Sequence, residues 1–296
     1  MPKKVIFVTG GNAGIGFQCC LALAKQPNTH VIVAGRNQQR VNDAVKEIKA
    51  AATPTSIIEP GIVDLASLKS VRTFANKLKS RQLQFSTIVC NGGVQLKQKE
   101  MTVDGFERTF GTNHLGHFLL LEILREQTQR IMMLGSETHD PAEKTGIAPP
   151  SELNFDQLAR GYENFNAMEA YAASKLCNTL YAKEFVRRYP NGPTILVYSP
   201  GFTPDTSLFR EQNRFVWLFM KPIFKFVSWL HGGRISTSEY SGGYMAKLAS
   251  DEPLQAEYKS GSYIRVDEVW EVSKQAADPV LGKELWDKSE KWVQSA

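Results

Sequence analysis

Short apolar runs alternate with longer segments of mixed polarity through the first half of this 296-residue chain. The clearest runs cover residues 5–8, 31–34, 86–90 and 130–134, and residues 57–63 form a weaker one that Pro60 and Gly61 interrupt. Compact apolar runs are typical of strands buried on both faces of a parallel sheet. Helix-sized segments separate them, so the pattern predicts a doubly wound α/β fold.

The second half departs from this alternation. Residues 137–165 are rich in proline and turn formers and are predicted as a long loop. A helix is predicted over 167–188, a strand over 194–198, a helix over 236–250 and a seventh strand over 261–266. We expect one Rossmann-type parallel sheet of about seven strands with helices on both faces.

A glycine-rich turn, TGGNAGIG, follows the first predicted strand. Gly10, Gly14 and Gly16 lack a Cβ, so the backbone there can approach a phosphate closely. The next helix offers unpaired N–H groups and the positive end of its dipole. We therefore predict a dinucleotide site that includes Asn12 and Ile15. The alternative is a plain tight turn.

Two arginines stand where the second strand ends. An acidic residue at this place suits the ribose of NAD, whereas an arginine suits the 2′-phosphate of NADP. Arg36 lies at the strand end and Arg40 one helical turn later, so both could reach one phosphate. We predict NADP(H) as the cofactor, with Asn37 in the same site. The alternative is that both arginines are solvated surface residues.

A tyrosine and a lysine share one face of the predicted helix 167–188. Tyr171 and Lys175 are four residues apart, and Ser136 follows the fifth strand at the sheet edge where ligands bind. A nearby ammonium favours the phenolate, so we predict Tyr171 as a general acid or base. Ser136 would orient a substrate oxygen. The alternatives are a packed aromatic, a solvated lysine and a turn serine.

These motifs occur in the order of the short-chain dehydrogenase/reductase family, which the chain resembles over about residues 4–200. They are TGGNAGIG, Cys90-Asn91-Gly92-Gly93, Asn113, Ser136, the YAASK run that starts at Tyr171, and Pro200-Gly201. The resemblance implies that Asn113 anchors a proton-relay water, that Lys175 holds the nicotinamide ribose and that Asn91 steadies the sheet. It also implies further cofactor contacts from Asp64, Leu65, Gly92, Gly93, Gly201 and Phe202.

A closer resemblance is to the branch with retinol dehydrogenases and light-dependent protochlorophyllide reductases. The stretch DGFERTFGTNHLGHFLL resembles that branch, and SETHDPAEKTG, SKLCN, SLFRE and the C-terminal residues around Tyr263 and Trp286 resemble the protochlorophyllide enzymes. Those enzymes have a cysteine where this chain has Phe202 and a tyrosine where it has Gln95. Their segment before the catalytic tyrosine is longer, and Asp205 replaces the usual threonine of the PGxxxT pattern.

Residues 209–230 contain seven aromatic side chains interleaved with basic ones. We predict a helical substrate lid over 205–234. The open alternatives are peripheral contact with a membrane through 209–230 and ordinary core packing of two helices.

Composition excludes several classes of protein. The hydrophobic and charged fractions, 42% and 22%, are those of a globular chain, and no apolar run approaches the roughly 18 residues that span a bilayer. The net charge of +5 lies mostly in residues 209–234, so no nucleic-acid partner is expected. Four cysteines without CxxC spacing favour a reducing compartment, and no leader precedes the first strand, so we predict a cytoplasmic protein.

We predict one domain over residues 1–296, with 1–135 mainly binding the dinucleotide and 136–296 carrying catalysis and substrate binding. The function hypothesis is NADPH-dependent hydride transfer to or from a carbonyl or alcohol on a bulky lipophilic substrate. The alternatives are light-driven C=C reduction of a tetrapyrrole and a non-catalytic NADPH sensor. No metal site is predicted, and family analogy leaves open a homodimer formed through helices 106–126 and 167–188.

Overall fold

A computed structural model describes residues 3–143, 145–203, 236–251 and 257–295 of the chain. The described strands form one sheet in the order β3-β2-β1-β4-β5-β6-β7-β8. Their bounds are β1 Lys4–Thr9, β2 Thr29–Gly35, β3 Ile57–Ile62, β4 Phe85–Cys90, β5 Arg130–Leu134, β6 Thr194–Ser199, β7 Tyr263–Arg265 and β8 Glu268–Trp270. Strands β1 to β7 pair in parallel and β8 pairs antiparallel with β7. The predicted doubly wound sheet is confirmed.

Helices cover both faces of this sheet. Their bounds are α1 Gly14–Ala24, α2 Gln38–Ala51, α3 Leu68–Ser80, α4 Arg108–Phe110, α5 Gly116–Leu124, α6 Phe155–Arg160, α7 Ala167–Arg188, α8 Ser238–Ser250, α9 Lys274–Ala277 and α10 Pro279–Ser295. One core cluster lies beneath α3, α5 and α7, and the other beneath α1, α2 and α8. None of the described helices is both long and apolar enough to cross a membrane.

The order of the strands positions the site. The chain winds outward from β1 to β3 and then returns to pair β4 with the other side of β1. Ligands of open α/β sheets bind at the carboxyl ends of the strands beside such a reversal. The glycine-rich turn after β1 and the loop after β4 therefore meet in one crevice.

Several element boundaries differ from the sequence expectations. Helix α3 begins only at Leu68, because Asp64 accepts from the Ala66 N–H and Ser67 caps the helix. The loop expected over 137–165 contains α6 and a 3-10 turn, Glu137–His139. Pro60 fits β3 because this strand lies at the edge of the sheet, where a missing N–H is tolerated.

The expected helix 106–126 is interrupted by a π-helical segment, Gly111–Leu115, between α4 and α5. A π segment inside a helix is uncommon and often marks a functional site. The Gly116 N–H bonds the Gly111 carbonyl five residues back. Gly116 also abuts the Leu65 carbonyl, where a Cβ would lie 2.4 Å from that oxygen. Long-range packing therefore shapes this part of the helix.

Helix α10 covers the side of α7 and α5 that faces away from the sheet. Trp286 stacks on Tyr181 of α7 with 5.1 Å between ring centroids. The same indole meets Phe118 of α5 edge-on at 5.2 Å. Trp286 is 2% exposed, so this contact is a closed aromatic core.

Candidate active site

The glycine-rich turn is backbone that a side chain would not fit. Gly10 has φ +64°, and a Cβ on it would lie 2.8 Å from the Gly92 Cα. A Cβ on Gly16 would lie 2.4 Å from both the Asn91 Nδ2 and the Gly10 oxygen. Gly14 has φ +55° at the start of α1. All three glycines are therefore required by the geometry.

The first turn of α1 suits an anion. Its capping residue, Ala13, makes no side-chain hydrogen bond, and no acidic side chain lies in the first turn. The N–H groups there are thus available, and the helix dipole favours negative charge. With the close-approach glycines beside it, this turn fits the pyrophosphate of a nicotinamide dinucleotide. Asn12 fills the space above Gly35, and Ile15 packs in the core beneath the turn.

The residues predicted for the adenosine end lie on neighbouring strand ends. Arg36 and Arg40 are exposed, and the Asn37 Oδ1 accepts from the Arg40 N–H at 3.0 Å, so Asn37 caps α2. The Asp64 Oδ1 accepts from the Ala66 N–H at 3.0 Å. Leu65 is buried against Gly92 and Gly116. Asn37 and Leu65 therefore have structural contacts in addition to any contact with a cofactor.

The loop after β4 is tied to the glycine-rich turn. The Asn91 Nδ2 donates to the Thr9 and Gly10 carbonyls at 2.9 and 3.3 Å. The Gly92 N–H donates to the Thr9 Oγ1 at 2.9 Å. Gly93 lies next to the carboxamide of Asn113. These contacts bring the predicted Asn-Gly-Gly residues to the crevice.

Tyr171, Lys175 and Ser136 come together at the carboxyl end of β5. Tyr171 and Ser136 share a side-chain hydrogen bond. The Lys175 Nζ donates to the Leu134 carbonyl at 3.0 Å and lies 5.6 Å from the centroid of the Tyr171 ring. The Ser136 Oγ accepts from the Thr138 hydroxyl at 3.0 Å, which leaves its own proton available to another acceptor.

The expected lowering of the Tyr171 pKa by the ammonium is wrong. Burial raises the pKa of Tyr171 to about 12, and the hydrogen bond with Ser136 only partly opposes it. Burial also lowers the pKa of Lys175 to about 8. The Lys175 amine bonds a carbonyl rather than the phenol, so it does not offset the loss of hydration. Tyr171 therefore keeps its proton at neutral pH, as a general acid requires.

Asn113 lies in the π-helical segment and its side chain makes three hydrogen bonds. The carboxamide accepts from the Val94 N–H at 2.8 Å and donates to the Val94 carbonyl at 3.0 Å. It also donates to the Ser174 Oγ at 2.9 Å. The amide thus joins the loop after β4 to α7. The relay water that Asn113 is expected to anchor stays a prediction.

Gly201 and Phe202 lie just after β6, near the end of the described range 145–203. Gly201 has φ +71°, and the Phe202 carbonyl accepts from the Ser236 N–H at 3.0 Å. The predicted lid 205–234 and the aromatic segment 209–230 lie outside the described residues.

Sequence reasoning missed Thr138 and Ser174. The Thr138 hydroxyl donates to Ser136, and the Ser174 hydroxyl donates to the Tyr171 carbonyl at 2.7 Å. A helical spacing of three residues between Tyr171 and Ser174 was the available signal for the second. Nothing in the sequence indicates that Thr138 turns back on Ser136.

Replacing Lys175 with methionine is expected to stabilise the cofactor-free protein at pH 7 by about 1 to 3 kcal/mol. The folded-state pKa of about 8 lies below that of an unfolded lysine, so the unfolded chain binds more protons between these values. The stability of the original protein should therefore rise with pH from about 8 towards 10.5, and the advantage of the variant should shrink over that range. Urea unfolding at pH 7 and 10 tests this. A variant less stable at pH 7 would contradict it.

A model of the short chain dehydrogenase family matches residues 4–136. Protochlorophyllide reductase A of Oryza sativa is 31% identical over 99% of this chain and 81% of its own length. The WW domain-containing oxidoreductase of Danio rerio is 33% identical over 99% of this chain and 69% of its own length. The chain therefore belongs to the short-chain dehydrogenase/reductase family and is an oxidoreductase of that family. The predicted likeness to the protochlorophyllide reductases is confirmed.

Solved structures show the same fold. An uncharacterized protein from Mycobacterium paratuberculosis superposes with a TM-score of 0.73 at 23% identity, covering 99% of this chain and 96% of its own. A 3-oxoacyl-(acyl-carrier-protein) reductase from Agrobacterium tumefaciens, with NADP bound, gives 0.66 at 17% identity and covers 89% and 93%.

Proposed function

We propose that this chain is an NADPH-dependent enzyme that transfers hydride between the nicotinamide and a carbonyl or alcohol on a bulky lipophilic substrate. The observation that carries the proposal is the meeting of Tyr171, Ser136 and Lys175 beside the dinucleotide cradle. A chain that only senses a dinucleotide has no need of a protonated phenol aligned with a second hydroxyl.

The protonated state of Tyr171 suits the reducing direction. NADPH, when bound, supplies hydride from C4 of its nicotinamide. Tyr171 holds a proton at its hydroxyl and donates it to the substrate oxygen. Ser136, whose Oγ already accepts from Thr138, donates its own proton to the same oxygen and orients it. Lys175, whose amine donates to the Leu134 carbonyl beside Tyr171, would hold the nicotinamide ribose when the cofactor is bound.

Two observations support a bulky apolar substrate. Residues 209–230 contain seven aromatic side chains, and similar proteins are named as reductases of protochlorophyllide, a tetrapyrrole. A screen of hydrophobic ketones, aldehydes and alcohols, monitored by NADPH absorbance, tests the proposal. Turnover that is lost in the Tyr171→Phe variant supports the proposal. Oxidation that persists in that variant, or none over the whole screen, contradicts it.

Replacing Arg36 and Arg40 with serine should weaken NADPH binding by more than about tenfold and leave NADH binding within about twofold. The reason is that both exposed guanidinium groups stand at the end of β2, where a 2′-phosphate would lie. Fluorescence titration with each cofactor measures this. Lys46→Ser, which removes an exposed charge further along α2, is the matched control. Equal losses for both cofactors, or NADH preferred by the original protein, would contradict NADP specificity.

A second candidate is light-driven reduction of a tetrapyrrole C=C bond. The 31% identity to a protochlorophyllide reductase, in an alignment that covers 99% of this chain, favours this candidate. Phe202 and Gln95 stand where those enzymes carry cysteine and tyrosine, and the Gln95 amide here lies 2.9 Å from the Met168 sulfur. Illuminating the protein with NADPH and protochlorophyllide, with a dark control, separates the two reactions. Product formed only in the light would favour the second.

Cytoplasmic location, peripheral membrane contact through 209–230 and a homodimer are further proposals. A dimer through the α5 and α7 faces would have to displace Trp286 of α10, which packs on both helices. A dimer would therefore form more readily through a surface other than these faces of α5 and α7. Sedimentation velocity measures the oligomeric state, and flotation with anionic vesicles measures membrane contact.

A further inference from the structure

A buried histidine, His117 of α5, bonds through both ring nitrogens. Its Nδ1 lies 3.1 Å from the Asn113 carbonyl oxygen, and its Nε2 lies 2.9 Å from the Thr9 Oγ1. The side chain has no exposed surface. The proposed proton transfer does not use this ring, yet the ring touches two residues of the crevice.

The chemistry of the partners determines the tautomer. A carbonyl can only accept, so the proton must lie on Nδ1, which donates to Asn113. Nε2 must then accept, and Thr9 donates its hydroxyl proton to it. The Thr9 oxygen in turn accepts from the Gly92 N–H at 2.9 Å. The Val89 carbonyl is a second acceptor for the Thr9 hydroxyl, but at 3.3 Å it is the more distant of the two.

The same chain of bonds continues to the catalytic helix. The Asn113 Nδ2 donates to the Ser174 Oγ, and the Ser174 hydroxyl donates to the Tyr171 carbonyl. These hydrogen bonds run from the Gly92 N–H through Thr9 and His117 to the Asn113 carbonyl, and from the Asn113 side chain to the first turns of α7. His117 adds Thr9 and Gly92 to this series, alongside the direct bonds between Asn113 and Val94 that already tie the loop after β4 to α7.

The ring stays neutral at any ordinary pH. Burial lowers the pKa of His117 to about 4, the hydrogen bond to Asn113 opposes this, and the charge of Lys175 adds to the lowering. One tautomer therefore persists through the working range, so the link does not depend on pH.

We propose that His117 is a positioning residue that holds the Thr9 hydroxyl and the Asn113 carbonyl in one register, and so couples the cofactor cradle to the helix that carries Tyr171. The proposal rests on the NADPH-dependent function. Loss of the ring should release the Thr9 hydroxyl, shift Gly92 and weaken cofactor binding, which loss of the Tyr171 hydroxyl should not do.

The first test observes the ring in the original protein. Long-range ¹H–¹⁵N spectra of histidine-labelled protein, with the signal assigned by its loss in His117→Gln, should show the Nδ1–H tautomer without titration between pH 5 and 9. An Nε2–H tautomer, or titration near pH 6.5, would overturn the proposal. This result is independent of NADPH binding, so it separates failure of the link from failure of the proposed function.

The second test measures NADPH affinity by fluorescence in a set of variants. Thr9→Val and His117→Phe should each weaken binding about tenfold, and the double variant should be no weaker than the worse single one. Thr9→Ser keeps the hydroxyl and should bind within about twofold of the original. Leu121→Ala, a buried change on α5, should lower the melting temperature without changing affinity.

The result that overturns coupling is independent, additive losses in the double variant. Unchanged affinity in both single variants overturns it equally. Affinity that falls in Leu121→Ala as much as in His117→Phe would mean that only general stability is involved.

Discussion

Replacing Tyr171 with phenylalanine is expected to lower turnover by a factor of about 10³ or more and to leave NADPH affinity within about twofold. The variant removes the proton that a substrate oxygen would receive, while the ring, its burial and the dinucleotide cradle remain. Burial raises the pKa of this phenol to about 12, so the hydroxyl is fully protonated when the reaction begins. The measurement is the rate of NADPH oxidation with any carbonyl that the original protein reduces.

Tyr181→Phe is the matched control. This tyrosine lies on the same helix, is 2% exposed and stacks on Trp286, and its hydroxyl has no hydrogen-bond partner among the described residues. Loss of an unpartnered buried hydroxyl should leave turnover unchanged and stability equal or higher. Turnover retained in Tyr171→Phe, or lost equally in both variants, would remove the assigned role of Tyr171.

Replacing Gly16 with alanine is expected to weaken NADPH binding by about a hundredfold or more and to lower the melting temperature. Helix propensity alone predicts a higher melting temperature, since alanine is favoured over glycine by about 1 kcal/mol inside a helix. The new Cβ would lie 2.4 Å from the Asn91 Nδ2 and from the Gly10 oxygen, so the turn must open. Thermal unfolding and fluorescence titration measure the two effects.

Gly243→Ala provides the control for this substitution. Gly243 lies within α8, and a Cβ on it would meet nothing within 4 Å. The same change should therefore stabilise the protein by about 0.5 to 1 kcal/mol and leave cofactor affinity unchanged. If Gly16→Ala behaved like Gly243→Ala, the close approach at the glycine-rich turn would not be required.

Sequence patterns predicted β1, β2, β4, β5 and β6 well because these strands are buried on both faces, and such strands read as apolar runs. Strand β8 was not predicted. It is three residues long, Val269 in it is 59% exposed, and the hairpin before it depends on Val266 with φ +59°. A short exposed strand has no apolar run, and positive φ at a β-branched residue is rare.

The parts of the site that need particular residues at a fixed spacing along the chain were predictable from the sequence. Tyr171 and Lys175 are four residues apart on α7, and the glycines are required by backbone approach, so both patterns appear in the sequence. The π-helical segment was not predictable, because it depends on the packing of Gly116 against the Leu65 carbonyl, far away along the chain. The pKa of Tyr171 depends on burial, which spacing does not reveal.

A crystal structure of the protein with NADPH would show whether the nicotinamide lies against Tyr171. We expect the pyrophosphate over the first turn of α1 at Gly14–Gly16, the 2′-phosphate beside Arg36, and the nicotinamide against Tyr171 and Lys175, with C4 facing the space between Tyr171 and Ser136. A nicotinamide bound away from Tyr171, or no dinucleotide in this crevice at saturating concentration, would contradict this expectation.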